Sequence, residues 1–285
     1  MKPADILVDN PVLNREFRGR LRMRKLSGKA WRVVGVIVVL TVLRYYYVLL
    51  ASVVNGRPDD AVELWRDVSF LALTLIALLA PALAATAISQ EQEQQTWDLL
   101  KVTRLTAWQV ILGKWLARQT IPAMALLIGL PLVLVCSFHG GLGFTGFAVN
   151  YGYLILTSAF FSAMGLWCSA VARKTAAATA ASLMAMAALC LGTCVVDAII
   201  DMLMTYHRWG LGTYTVWINP FYALGIVDDL IKNPYTWTEM YQPYGPYWDT
   251  VRRISVGCTS VCFEIVMIVI FLSSLVRRYG QTAGS

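Results

Sequence analysis

The chain has 285 residues, of which 58% are hydrophobic and 14% charged, and it carries a formal net charge of +7. Average soluble domains hold about 25% charged residues, so this balance excludes a soluble domain and identifies an integral membrane protein. Six cysteines, at 136, 168, 190, 194, 258 and 262, all fall within apolar runs, which gives no sign of an extracellular disulfide framework.

The first thirty residues are polar and basic, without the apolar core of a cleaved signal peptide. Asn10-Pro11 starts a helix with proline at its first position. Leu13, Phe17 and Leu21 form an apolar stripe, Arg15, Arg18, Arg22 and Lys25 cover the rest, and Ser27-Gly28 ends it. Residues 1–29 therefore read as an interfacial helix with a basic face suited to the inner leaflet. Residues 30–285 form one membrane domain.

Six apolar runs follow, at about 33–54, 68–88, 119–138, 147–172, 175–200 and 254–276, each long enough to cross a bilayer as a helix. With the N-terminus inside, seventeen Lys/Arg fall on the inner side and six on the outer, and Arg44 lies within the first run. That bias puts both termini in the cytoplasm. The positive charge is thus a signal of topology and not of nucleic-acid binding.

Between the second and third runs lies ISQEQEQQTWDLLKVTRLTAWQVILGKWLAR, residues 88–118. Ser89 reads as a helix cap, with Glu91 and Glu93 in the first turn, where carboxylates oppose the positive helix end. The helix is expected to reach about Val102, with Trp97 and Leu100 on one face. Thr103-Arg104-Leu105 breaks it, and the capping box from Thr106 to Gln109 starts a second helix that runs into the third span. An amphipathic loop resting on lipid headgroups is the plainer alternative. The acidic, Gln-rich first turn suits a protein partner better than anionic lipid, so loop 89–118 reads as a docking surface.

Pro81 in the second run, and Pro122, Gly129 and Pro131 in the third, can bend the helices that flank this loop. Residues 139–146 form a Gly-rich turn without phosphate-binding context, and Arg173-Lys174 is a tight inner turn. The outer segment 201–253 holds a short amphipathic helix starting at Asn219-Pro220, with Phe221, Leu224, Val227 and Ile231 on one face. A Tyr/Trp/Pro cluster resembling an interfacial aromatic belt follows it.

Three ionisable residues fall within spans: Arg44, Asp197 and Glu264. Charges are costly there, so paired or functional roles are the default. Arg44 and Glu264 fall at similar depths, which allows an ion pair, with Asp197 as the rival acceptor. A structural tie is preferred over a proton or substrate pathway. The Cys190/Cys194 and Cys258/Cys262 pairs are spaced for a soft-metal site, but packing by small apolar residues is preferred and no metal is expected. No phosphate-binding loop exists, since neither Gly28-Lys29 nor Gly113-Lys114 has the upstream glycine or the following Ser/Thr. No nucleophile elbow is present either, so the chain does not read as an enzyme.

Residues Glu91, Glu93, Thr96, Asp98, Leu99, Leu100, Thr103, Leu105, Gly113 and Lys114 together resemble the first cytoplasmic loop of type-2 permeases of ATP-binding-cassette (ABC) transporters. Trp97 departs from the aliphatic residue usual there. The resemblance implies an all-α polytopic fold of six transmembrane helices with an N-terminal elbow helix, a cytoplasmic coupling helix and outer-leaflet helices before the sixth span. It also implies that Glu91, Glu93, Thr96, Trp97 and Leu100 contact a separate ABC ATPase subunit, which would carry the ATP and magnesium, so that this chain needs no cofactor. Two permease copies in the cell membrane would then enclose the pathway, with export as the expected direction. Spans two and five, with small residues at Ala85, Thr86, 176–178 and 180–181, are the expected meeting faces. A non-transporting membrane anchor that recruits a cytoplasmic partner through loop 89–118 is the competing reading. Nothing in the sequence selects a cargo.

Overall fold

The computed structural model describes residues 43–48, 50–51, 54, 58–95, 106–139, 143–172, 174–204, 218–232 and 247–283. The expected interfacial helix at 1–29, most of the first apolar run, loop residues 96–105 and the aromatic cluster at 233–246 lie outside them.

The described residues are almost wholly helical, with no strand among them. In chain order the elements are α1 (Pro58–Glu93), α2 (Ala107–Arg118), α3 (Thr120–His139), α4 (Gly143–Val171) and α5 (Thr175–Ala187). A π-helical turn (Ala188–Gly192) joins α5 to α6 (Thr193–Met204), and α7 (Pro220–Lys232) and α8 (Tyr247–Ala283) follow. Five stretches are long and apolar enough to cross a membrane: Ala61–Glu93, Ala107–His139, Gly143–Val171, Thr175–Ile199 and Cys258–Tyr279. They coincide with the second to sixth apolar runs.

Helix α1 starts at Pro58, where a missing N–H costs nothing. Its 36 residues span about 54 Å at ~1.5 Å per residue, well beyond a ~30 Å hydrocarbon core. It does not stop at Ile88. Ser89 lies inside it, fully buried, and donates its hydroxyl to the Ala85 carbonyl at 2.8 Å, so Ser89 is not the cap of a separate helix. The Gln/Glu run after it consists of good helix formers, and nothing breaks the helix before Gln95, whose φ of 55° ends it in the left-handed region.

The chain returns through the capping box expected from sequence. Thr106 accepts from the Gln109 amide, and the Gln109 side chain accepts from the Thr106 amide at 2.9 Å. A single turn at Gln119 separates α2 from α3. Pro122 falls in the first turn of α3, and Pro131 lies inside the helix. Near that interior proline, the Leu126 carbonyl accepts from the Tyr151 hydroxyl of α4 at 3.2 Å.

Helices α1 and α4 form the centre of the bundle, and α3, α5 and α8 pack around them. Because lipid tails are as apolar as the core, close packing and not water exclusion has to hold such helices together. Gly165 of α4 lies close against α1: a Cβ there would lie 2.4 Å from the Pro81 carbonyl oxygen. Phe160 stacks against Phe263 and Phe271, and Trp167 against Phe271, which joins α4 to α8. The outward faces carry Leu127, Ile128, Leu191, Val195, Ile265 and Val269, all exposed, as lipid-facing positions require.

Helix α7 begins at Asn219-Pro220 as expected. The Asn219 oxygen caps the Phe221 amide at 2.9 Å, and its Nδ2 donates to the Cys190 carbonyl of the π turn at 2.8 Å. Asp228 of α7, 2% exposed, pairs with Arg66 of α1 at 3.5 Å.

Candidate functional site

Ser89, Gln109, Lys114, Arg118 and Ser169 are buried polar residues that lie where α1 finishes and α2 starts. Helix α2 packs on α1, α4 and α8 here. Its Ile111 joins Ala84, Ala87 and Ile88 of α1, Leu166 of α4, and Leu272 and Leu275 of α8 in one apolar cluster. Lys114, one turn further, is fully buried and pairs with Glu91 at 2.7 Å. It also donates to the Ala87 carbonyl at 3.3 Å. Arg118, on the same face of α2, donates to the Leu83 carbonyl and the Thr86 hydroxyl. A buried cation with a paired carboxylate and a carbonyl acceptor is satisfied, and removing one partner strands the other.

The end of α1 is fastened on its other side as well. The Ile88 and Ser89 amides both donate to the Ser169 hydroxyl near the end of α4, each at 2.9 Å. Two residues past Glu91, the Glu93 carboxylate accepts from the Thr175 amide at 2.8 Å and from the Thr175 hydroxyl at 3.0 Å. Glu93 thereby caps α5 from a different helix, where a negative charge faces the positive end of the helix dipole. The N-cap residue Lys174 makes no side-chain cap bond of its own.

Of the five residues expected to meet a partner, the structure describes two. Glu91 and Glu93 sit at the root of the loop, tied to α2 and α5. Thr96, Trp97 and Leu100 lie outside the described residues. Lys114, matched in the sequence only as part of a motif, proves to be the ion-pair partner that joins the two arms of the loop.

The three intramembrane charges do not come together. Glu264 is fully buried on α8, and its carboxylate accepts from Thr157 at 3.0 and 3.2 Å and from Tyr153 at 3.3 Å. Tyr153 also reaches Ser260 and the Pro220 carbonyl. Arg44 is exposed and forms no ion pair with Glu264. Asp197 is half-buried on α6. A carboxylate in this interior is thus held by hydroxyls of α4. Thr157 and Tyr153 carry no sequence signal beyond being polar residues in an apolar run.

Among the described residues no group of three or more metal-ligating side chains occurs. The Cys194 thiol contacts the Cys190 carbonyl and Asn219, and Cys258 and Cys262 are exposed. Of the small residues expected at a subunit face, Ala85 is fully buried within the chain, whereas Ala176, Ala177 and Ala180 of α5 are exposed.

Comparison with known proteins agrees with the resemblance seen in the loop. The family model described as ABC-2 family transporter protein matches residues 11–281. That is almost the whole length, and the chain belongs to this family of multi-pass membrane proteins. A search of the curated proteins finds no match.

Proposed function

We propose that this ABC-2 family member is the permease subunit of an ATP-driven exporter, working with a separate ATPase subunit. The reading adds a sixth span at 33–54, cytoplasmic termini, and two copies around one pathway in the cell membrane. Loop 94–105 would be the coupling helix, with Thr96, Trp97 and Leu100 on the ATPase and with Glu91 and Glu93 at the base of that surface.

The observation that carries the proposal is the buried Glu91–Lys114 pair. A loop that only rested on headgroups would gain nothing from a desolvated charge pair at its root. A lever that must carry force into the bundle needs its two arms held at a fixed separation. Trp97→Ala tests this directly. The variant should insert normally but bind the ATPase about tenfold more weakly or worse, as removal of an interfacial aromatic anchor predicts, and cargo-stimulated ATP hydrolysis should fall with it. Normal coupling in this variant would reject Trp97 as a contact, and failure of the intact chain to bind any ABC ATPase would reject the permease reading itself.

A further inference from the structure

We infer that Glu93 is a positioning residue that hands movement of loop 94–105 to α5, and not a residue that touches the ATPase. The inference rests on the coupling reading of that loop. Three facts support it.

Both carboxylate oxygens of Glu93 are already engaged, one by the Thr175 amide and the other by the Thr175 hydroxyl. Each oxygen keeps a lone pair for a further donor, but swinging the side chain outward onto a partner would break both bonds.

The contact also supplies something α5 lacks. With no side-chain cap from Lys174, the first amide of α5 has its acceptor on α1, so any shift of the end of α1 changes how α5 begins. Two turns of chain earlier, Ser169 of α4 takes the Ile88 and Ser89 amides. The short turn between α4 and α5 is thus gripped on both sides by the last two turns of α1.

Helix α5 is also placed to pass a movement on. Ala176, Ala177, Ala180 and Met184 on its outer face are all exposed, while Ala178 and Ser182 are buried against the bundle. In the proposed two-copy assembly this face meets the second copy, so a push at the first turn of α5 is passed on to the partner.

The test uses the full chain with its ATPase subunit in lipid nanodiscs and follows amide hydrogen exchange before and after ATP is added, so no cargo is needed. In the wild-type complex, ATPase binding should protect residues 94–105, and ATP should change exchange in residues 175–187. Glu93→Ala should leave ATPase binding and protection of 94–105 intact and abolish the ATP-induced change in 175–187. Basal exchange at the first turn of α5 should rise about threefold to tenfold, the range of an ordinary hydrogen bond and not of a charged one, because Glu93 is exposed. Thr175→Val, which keeps the amide bond and removes the hydroxyl, should reproduce the effect in part and guards against misfolding of the first variant. Glu93→Gln, which retains an acceptor for the amide, should fall between Glu93→Ala and wild type. Weaker ATPase binding in Glu93→Ala with Thr175→Val unaffected would make Glu93 a docking contact and overturn the inference. A normal α5 response in Glu93→Ala would overturn it as well. If residues 94–105 gain no protection in the wild type, the coupling reading fails, and this outcome differs visibly from failure of Glu93 alone.

Discussion

Single residues in this bundle matter through what they are pressed against. Gly165 sits where any Cβ would run into the Pro81 backbone at 2.4 Å, and backbone cannot swing aside. Gly165→Ala should lower thermal stability in detergent by about 1–3 kcal/mol. Gly152→Ala, whose Cβ meets nothing within 4 Å on the same helix, should leave stability unchanged or raise it; equal melting shifts for the two would refute the close approach. Glu264 offers a second case. Glu264→Leu strands the Thr157 hydroxyl in the interior, while Tyr153 keeps Ser260 and the Pro220 carbonyl, and should destabilise the chain by about 1–3 kcal/mol. Arg44→Leu should change little, and the double variant should match Glu264→Leu alone; recovery in the double variant would restore an Arg44–Glu264 tie. Span position gives the depth of these residues from the sequence, but not the direction each faces around its helix. Glu264 faces the hydroxyls of α4, a relation that no spacing within α8 can reveal.

At the level of elements, the sequence was most legible where a helix end is written in local chemistry. The Thr106–Gln109 capping box needs only four residues, and it formed as expected. The Asn219-Pro220 start of α7 is equally local. Ser89 misled because a Ser before Glu residues marks a helix start only if the chain before it is not already helical. Here a 36-residue helix runs through it, and its hydroxyl turns back to Ala85. The π turn at 188–192 had no signal at all, since its residues are ordinary for a span. Thr106→Ala should fray α2, costing about 1 kcal/mol and speeding exchange at residues 107–110. Unchanged protection there would show that packing on α1 alone fixes the start of α2.

For the whole molecule, composition and the six apolar runs made the all-helical membrane class plain. Five of those runs recur as helices long enough to span. What could not be read was which small residues are free. Ala85 is spent on packing within the chain, and Ala176, Ala177 and Ala180 are not. Under the proposed two-copy assembly, single cysteines at 177 or 180 should cross-link in membranes, whereas one at 85 should not. A dimer trapped only through another face, such as Val269 of α8, would move the interface. The same membranes can check sidedness: a cysteine at 95 should react with reagent supplied from the cytoplasm alone.

The π turn between α5 and α6 leaves one further mark, on the tolerance of this gene to gaining or losing codons. A π turn is an α-helix that has absorbed an extra residue as a local bulge. Removing one residue from 188–192 should let the span close into a regular helix with α6 still facing the same way. The same loss within α4 would turn everything after it by about 100°. The deletion would also take the Cys190 carbonyl out of reach of Asn219. Deleting Ala188 should therefore fold and destabilise the chain by less than Asn219→Ala, which also removes the cap on Phe221. The two changes together should cost no more than Asn219→Ala alone.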